Sequence, residues 1–320
     1  MRLKKKHVIG FIVIALLLVW VLIPKKDAGN YANKYAGAQN LDSDVEGTSE
    51  SYTYLKYLND HSDAAYPQND ISINLASFVK GDGVEVLQEY EGVQNVLYTE
   101  EESDVEWEID VPEAGMYYIH MEYYTVKSRG VDIERELYIN GEIPFQGADA
   151  INFLRIWTDS GEVVVDNQGN EIRPSQIDVP SWTESYFEDD LGYFSDPYAF
   201  YFEKGKNTIR LVGVNEPVAI KSLTLKAVKE RPTYAEYKAN LPKVAPSELA
   251  NNYKQVIEGE HSTFRSSPSL YPKYDRSSPA TSPASVATIK LNMIGGYAWK
   301  VAGNWIEWEF EVPEDNYYNI

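Results

Sequence analysis

Cysteine is absent from this 320-residue sequence. Its absence excludes disulfide bonds, a thiolate metal site, a cysteine nucleophile and the cysteine that a lipoprotein-type lipid anchor needs. The motifs of phosphate-binding loops, zinc peptidases and serine hydrolases are absent as well. Glycoside hydrolysis needs two placed carboxylates, but among 49 acidic residues a suitable pair occurs by chance, so composition does not support it. We therefore predict that the protein is not an enzyme.

Basic residues are few. The net charge is −20, and six of the 29 basic residues lie in the first 26 positions, where no acidic residue occurs. The remainder of the chain is therefore more acidic than the net charge indicates. Nucleic acid is disfavoured as a partner, because a phosphate backbone needs a basic surface. An acidic, solvated surface is the simpler explanation of this charge.

The N-terminus combines basic and apolar residues. Four basic residues precede an apolar run from Val8 to Ile23, and Lys25 and Lys26 follow it. A helix over this run would be about 24 Å long, between the length of a signal-peptide core and that of a spanning helix. We predict an uncleaved signal anchor, with a cleaved signal peptide as the alternative. The prediction is a single-pass protein of the cell membrane with its bulk extracellular.

One stretch organises the rest of the chain. Along Val105–Val111, apolar residues alternate with acidic ones, as in a strand with one buried face. Pro112 has no N–H to donate and ends the ladder, and Gly115 suits the turn that follows. Tyr117–Tyr124 then predicts a second, aromatic-rich strand.

The same stretch recurs 201 positions later and ends at Ile320. This spacing is longer than that of solenoid repeats and suits two copies of a domain. The recurring residues are Glu106, Trp107, Glu108, Val111, Pro112, Glu113, Tyr117 and Ile119, matched by Glu307, Trp308, Glu309, Val312, Pro313, Glu314, Tyr318 and Ile320. The second copy is expected to be truncated.

Short predicted strands follow one another from Ile71 to Val228 without a long amphipathic helix. This pattern is typical of an all-β antiparallel sandwich or barrel. The long connection from Asn140 to Pro197 is a candidate functional loop. The predicted regions are a signal anchor (1–26), a tether with a short helix (27–69), a β-sandwich (70–229), a linker with a short helix (230–252) and a partial second copy (253–320).

Two motifs identify a resemblance. Ile257–Glu260 has the form Glu-x-Glu, and Asn304–Trp308 is followed by Val312–Glu314. This order resembles galactose-binding-like jelly-roll carbohydrate-binding modules. Val111–Tyr117 and Gly205–Leu211 in the first unit are similar to the same modules, although that unit lacks the opening Glu-x-Glu. The resemblance implies that both units are antiparallel jelly-roll β-sandwiches.

The chain as a whole looks like the front of large extracellular solute-binding proteins of bacterial ABC transporters. The residues that suggest this are Ser128–Glu136, Asn140–Phe145, and Asn167–Asn170 through Arg173–Gln176. The resemblance implies a carbohydrate ligand and a transporter permease as a partner. The sequence departs from that pattern, because it lacks the α/β ligand-binding body and the lipid-attachment cysteine.

Candidate sugar-binding residues are aromatic rings for the apolar faces of pyranoses and planar polar groups for their hydroxyls. In the long connection they are Arg155, Trp157, Arg173, Trp182, Tyr186 and Tyr193, and in the second unit they are Tyr297, Trp299 and Trp305. Packing under the loop is the alternative role for Trp157 and Trp182, and pairing with a local acid is the alternative for Arg173. Trp107 and Trp308 lie on apolar strand faces and are predicted core residues.

Glu258 and Glu260 match the Glu-x-Glu of the family, in which a structural calcium is often held at this place. Carboxylate oxygens suit calcium, and alternate positions of a strand would put both carboxylates on one side. A solvated edge is an equal alternative. The function predicted overall is membrane-anchored carbohydrate binding. The alternatives are a structural spacer and an accessory domain of a glycoside hydrolase.

Overall fold

A computed structural model describes residues 52–229, 231–278 and 280–320. The predicted signal anchor (1–26) and most of the predicted tether lie outside the described residues. Within the described ranges, no helix has both the length and the apolar character needed to cross a membrane.

The described chain is mostly β-structure. Its α-helices are α1 (Tyr54–Asp60), α2 (Tyr234–Asn240) and α3 (Glu248–Asn252), with a 3-10 helix at Gly296–Ala298. Its strands are β1 (Ile71–Ser72), β2 (Phe78–Tyr90), β3 (Val93–Val111), β4 (Gly115–Tyr124), β5 (Ile133–Ile139), β6 (Ile151–Phe153), β7 (Trp157–Asp159), β8 (Val164–Val165), β9 (Glu171–Ile172), β10 (Gln176–Asp178), β11 (Trp182–Tyr186), β12 (Ala199–Phe202), β13 (Gly205–Asn215), β14 (Val218–Ala227), β15 (Phe264–Arg265), β16 (Pro272–Lys273), β17 (Met293–Ile294) and β18 (Ile306–Glu307).

The long hairpin of β2 and β3 contributes to two layers of antiparallel strands. The first half of β3 pairs with β14, which pairs with β4, and β4 pairs with β11 and β12; we call this the first sheet. The second half of β3 pairs with β13, which continues to β5 and β6; we call this the second sheet. The result is a jelly-roll-like β-sandwich, in agreement with the fold class predicted for the first unit.

The core lies between the two sheets. Val105, Trp107, Ile109 and Val111 are buried, so the alternation seen in the sequence is confirmed. The same core takes in residues of β4, β5, β13 and β14. The indole N–H of Trp107 donates to the Leu75 carbonyl at 3.1 Å, which satisfies a polar group that would be costly to bury alone. β3 ends at Val111, directly before Pro112, as predicted.

Helix α1 covers the edge of the first sheet. The sequence predicts a short helix within residues 27–69, and the structure has one at Tyr54–Asp60, with Thr53 as its N-cap. The buried hydroxyls of Tyr54 and Tyr57 accept the N–H groups of Ala199 and Tyr201 in β12 at 2.8 and 2.6 Å. An unpaired edge strand otherwise offers free N–H groups to other chains, so these two tyrosines close the edge.

The long connection and the C-terminal residues share a small sheet. Its strand order is β10–β7–β15–β18. Two of its strands come from residues 157–178 and two from residues 264–307, and none belongs to the sandwich. Arg265 is fully buried there and pairs with Asp159 at 3.0 Å. The division into the five predicted regions stays a prediction.

The second copy of the repeated stretch forms much less strand than the first. Only Ile306 and Glu307 are in a strand, whereas the equivalent residues of the first copy belong to the 19-residue β3. β3 has neighbours on both sides, but β18 pairs only with two residues of β15 among the described strands. A strand needs hydrogen-bonded partners along its length, and this accounts for the difference.

Candidate functional site

The outer face of the first sheet carries a row of aromatic side chains. In the strand register, Tyr98 of β3 lies opposite Ala219 of β14, Ala219 lies opposite Tyr124 of β4, and Tyr124 lies opposite Trp182 of β11. Neighbouring strands are about 4.8 Å apart, so this row spans roughly 14 Å across the sheet. The row therefore runs perpendicular to the strands on one face.

Aromatic contacts connect the row. Tyr90, at the end of β2, packs against both Tyr98 and Tyr124, with ring centroids 6.3 and 5.4 Å apart. Tyr124 packs edge-on against Trp182 at 5.3 Å. Edge-to-face contacts at these distances are favourable for aromatic rings. We call Tyr90, Tyr98, Tyr124 and Trp182, together with Tyr118 and Tyr186, the aromatic face.

The turn between β2 and β3 fixes the tryptophan. Glu91 and Gly92 both have positive φ, of 46° and 79°, the conformation of a two-residue hairpin turn. The Glu91 carbonyl accepts the indole N–H of Trp182 at 3.0 Å. Trp182 is half-buried, so part of its ring remains accessible while its orientation is set by the hairpin.

The aromatic face covers small apolar residues outside the core. Val96 and Ala219 are fully buried, yet neither belongs to the core between the sheets. The aromatic rings on the outer face supply the cover. Burial raises the pKa of Tyr90, Tyr98 and Tyr124, so these phenols stay neutral well above physiological pH.

Carboxylates lie between two groups of rings along the strands. Glu122 and Glu184 are direct cross-strand partners. Along the strands, this pair lies two residues from the Tyr124–Trp182 pair and two residues from the His120–Tyr186 pair. Tyr186 packs on His120 at 4.7 Å, and the His120 imidazole lies 3.5 Å from Glu184. Burial lowers the pKa of His120. An ion pair with Lys221 lowers the pKa of Glu122. This side of the sheet thus offers apolar rings with charged oxygen acceptors between them.

Two of the predicted sugar-binding residues, Trp182 and Tyr186, come together on this face. The other members were not predicted as site residues, although the aromatic-rich strand Tyr117–Tyr124 contains two of them. Tyr90 and Tyr98 carried no signal in the sequence, because their position depends on the register of three separate strands.

Arg155 is placed elsewhere and is fully buried. Its guanidinium donates to the carboxylates of Asp178 and Glu216 at 2.8 and 2.5 Å, and to the carbonyls of Val126 and Val131. Glu216 is also fully buried, so the two charges neutralise each other in the interior. Arg155 is therefore left out of the site proposed below.

The remaining predicted residues of the long connection are dispersed. Trp157 is half-buried in β7, and its indole N–H has no partner among the described residues. Tyr193 is 79% exposed on a loop whose N–H groups are held by the Asp189 carboxylate. Arg173 lies in a separate cleft, over the ring of Tyr271.

The three predicted sugar-binding residues of the second unit do not pack against one another. Tyr297 is 88% exposed and Trp299 is 46% exposed, in and directly after the 3-10 helix. Trp305 is half-buried, and its backbone N–H donates to the Ser266 hydroxyl. None of the aromatic contacts within the described chain joins these three rings to one another.

The predicted calcium ligands do not lie on a strand. Glu258 to His261 form a turn, with the His261 N–H donating to the Glu258 carbonyl at 3.0 Å, so the expected alternation along a strand is wrong. Glu260 is buried, one of its carboxylate oxygens has no partner within the described chain, and burial raises its pKa. No cluster of three or more candidate ligands surrounds it in the described ranges. The calcium site stays a prediction.

Comparisons with known proteins find structural likeness only. No protein-family model and no curated protein matches the sequence. A family 35 carbohydrate-binding module from Clostridium thermocellum is 13% identical over 50% of this chain and 99% of that chain, with a TM-score of 0.33. A family 6 module from a marine laminarinase of Zobellia galactanivorans is 17% identical over 49% of this chain and 99% of that one, with a TM-score of 0.30.

A β-(1,4)-mannanase of Podospora anserina that carries a family 35 module is also similar. It is 14% identical over 52% of this chain and 29% of that chain, with a TM-score of 0.32. At such low identities and TM-scores, the likeness assigns neither a ligand nor an activity to this protein.

Proposed function

We propose that the aromatic face binds a polysaccharide. The observation that carries the proposal is the row Tyr98–Ala219–Tyr124–Trp182, which puts rings on one outer face of the sandwich across four adjacent strands. Water-exposed sheet faces are ordinarily polar, and a contiguous aromatic patch on a soluble surface marks a binding site.

The chemistry of the face suits sugar rings. Pyranoses have apolar C–H faces that pack on aromatic rings, and hydroxyls that donate hydrogen bonds to carboxylates. Glu122 and Glu184 supply such acceptors between the two groups of rings. Because the row is roughly 14 Å long, it suits an extended chain better than a single sugar ring.

The electrostatics favour binding over hydrolysis. A glycoside hydrolase needs a carboxylic acid whose pKa is raised so that it can protonate the leaving oxygen. Lys221 has the opposite effect on Glu122 and lowers its pKa. Glu122 is therefore unsuited to the role of the general acid.

The test is affinity gel electrophoresis of the full-length chain in gels that contain soluble neutral polysaccharides. We expect at least one glycan to retard the wild-type protein and Trp182→Ala to reduce the apparent affinity about tenfold, as expected when a ring contact and its apolar area are lost. Tyr186→Ala serves as a second variant, because it leaves the Trp182–Glu91 hydrogen bond intact.

The matched control is Tyr138→Ala. Tyr138 is a half-buried tyrosine on the outer face of the second sheet, so the variant removes the same side chain from the opposite side of the sandwich. A folded protein that no glycan retards, or equal weakening by Tyr186→Ala and Tyr138→Ala, would sink the proposal.

The cellular setting remains part of the proposal. Glycan binding at the cell surface next to a transporter permease fits the predicted anchor and the sequence resemblance to solute-binding proteins. An accessory role beside a glycoside hydrolase fits a non-catalytic binding face equally well. Detecting the full-length chain in the membrane fraction, and a permease after cross-linking, would favour the first setting.

A further inference from the structure

The cleft that contains Arg173 lies between the β8–β9 hairpin and the C-terminal residues. It encloses 530 Å³ and lies beside a larger cavity of 720 Å³, and Tyr274 lines both. The smaller cavity is lined by Glu171, Arg173, Tyr271, Pro272, Lys273, Tyr274, Ile289 and Leu291. We call this cavity the basic cleft.

The walls of the basic cleft are tied together by hydrogen bonds. The Glu171 N–H donates to the Ile289 carbonyl at 3.0 Å, and the Ile289 N–H donates to the Asn170 side chain at 2.9 Å. The Glu171 carboxylate accepts from the Leu291 N–H at 2.8 Å and from the Lys290 ammonium at 2.6 Å. The Glu171 carboxylate is therefore neutralised by Lys290 and satisfied by the Leu291 N–H.

Two cations of the cleft have no such neutralisation. The Arg173 guanidinium lies 3.8 Å from the centroid of the Tyr271 ring, and the Lys273 ammonium lies 4.6 Å from it. Lys273 also donates to the Gly295 carbonyl at 2.8 Å. In the part of the chain that the structure describes, no carboxylate lies within ion-pair distance of either cation.

Several cations on the sandwich are paired with acids, as Lys206 is with Glu108 and Arg210 is with Asp104. The chain carries a net charge of −20, so free acids are abundant. Arg276 and Lys290 add two further cations in the adjoining cavity, where Asp275 is the acid. Together the charged side chains that line the two cavities are four cations and two acids, so the lining carries a net positive charge.

We propose that the basic cleft binds an oxyanion, carboxylate or phosphate, carried by a sugar or polyol chain. A hydrogen bond from the Arg173 guanidinium lowers the pKa of Tyr271, and the other N–H groups of the planar guanidinium can donate to the oxygens of an anion. Tyr271 and Tyr274 offer apolar surface beside the charge. The cavity volume is within the range of small-ligand sites.

This second site does not depend on the first. The aromatic face is proposed to take an uncharged chain on an open surface, whereas the basic cleft selects an anionic group through Arg173 and Lys273. Loss of either site would leave the other intact, and each has its own ligand in the test.

The experiment measures retention of the full-length chain in gels that contain polygalacturonate, which carries carboxylates, or poly(glycerol phosphate), which carries phosphates. The variants are Arg173→Gln and the control Lys206→Gln, which removes one positive charge from an exposed site on the second sheet. Both change the net charge equally, so mobility without ligand corrects for charge.

We expect one of the two polymers to retard the wild type, Arg173→Gln to weaken that binding about tenfold, as for a lost charge-assisted hydrogen bond, and Lys206→Gln to leave it unchanged. Arg173→Lys should bind with intermediate affinity, because it keeps the charge but loses the planar fork. The polymer that binds identifies the oxyanion.

Two results would overturn the proposal. One is equal weakening by Arg173→Gln and Lys206→Gln, which would mean diffuse charge attraction. The other is free mobility of the folded wild-type protein in both gels at low ionic strength. Neutral-glycan binding measured in parallel on Arg173→Gln should match the wild type, which separates this site from the aromatic face.

Discussion

The two outer faces of the sandwich differ in the way their side chains are satisfied. On the second sheet, Asp104 accepts two hydrogen bonds from Arg210, both at 2.6 Å, and one from Lys80 at 2.5 Å. Glu108 pairs with Lys206 at 2.5 Å. The tyrosine of this face, Tyr138, lies beneath the Arg210 guanidinium and donates to Glu136. This surface is polar, and its cations Lys80, Lys206 and Arg210 are all paired with acids.

The first sheet has the same alternation but a different outer side. Tyr98, Tyr124 and Trp182 stand across adjacent strands and contact one another or Tyr90. Their hydrophobic area is only partly covered, because all four side chains remain half-buried.

This difference distinguishes the side chains that the fold requires from those that a binding function requires. Both sheets contribute to one core, so the fold needs only their inner faces. A sandwich face that serves solubility alone can be built like the second sheet, with paired charges. The aromatic row on the first sheet adds nothing to the core between the sheets, and ligand binding is the explanation we infer for it.

The largest expected effect comes from breaking the core that both faces share. Trp107→Ala removes a fully buried side chain and leaves a cavity, which costs about 3–5 kcal/mol of unfolding free energy. Its counterpart in the second copy, Trp308, is half-buried, so Trp308→Ala should cost much less. Chemical denaturation of both variants provides the measurement, and equal losses would contradict the assignment of the core.

A smaller effect should come from breaking the charged face alone. The hydrogen bonds from Arg210, followed by those from Lys80, lower the pKa of Asp104 to about 2. The stability that Asp104 contributes is therefore fully present above its ordinary pKa near 4 and is lost as the pH falls through about 2. Asp104→Asn should cost about 1 kcal/mol at pH 7, as for an ion-pair network at the surface.

The pH dependence sharpens this prediction. Wild type and Asp104→Asn should converge in unfolding free energy below about pH 2, where the aspartate is protonated in both states. Glu106→Gln, on the same face, is the control for charge. Glycan binding by folded Asp104→Asn should equal that of the wild type, and a loss of binding there would mean that the two faces are not independent.

Much of the sandwich could be predicted from the sequence. The alternation of Val105–Val111 and the strand end at Pro112 both follow from local rules and were correct. The duplicated stretch even gives the same local contact in both copies: Tyr117 and Tyr318 each donate to the carbonyl four residues earlier, at 2.9 Å. Local sequence fixes these features because their partners are near in the chain.

The site could be predicted only in part. Trp182 and Tyr186 were found as aromatics in a long connection, but their neighbours come from β2, β3 and β4. Which residues meet across a sheet depends on register, and register is set by pairings between residues far apart in the chain, such as Tyr98 and Ala219, which are 121 positions apart. Arg155 was misplaced for the same reason, since its partner Glu216 lies 61 residues away.

The measurement that tests the central claim most directly is calorimetric titration of Tyr124→Ala and Tyr138→Ala with the polysaccharide that retards the wild type. Both variants remove a half-buried tyrosine from an outer strand position, one from each face of the same sandwich. The account predicts about a tenfold loss of affinity for Tyr124→Ala and wild-type affinity for Tyr138→Ala. Wild-type affinity for a folded Tyr124→Ala protein would contradict it.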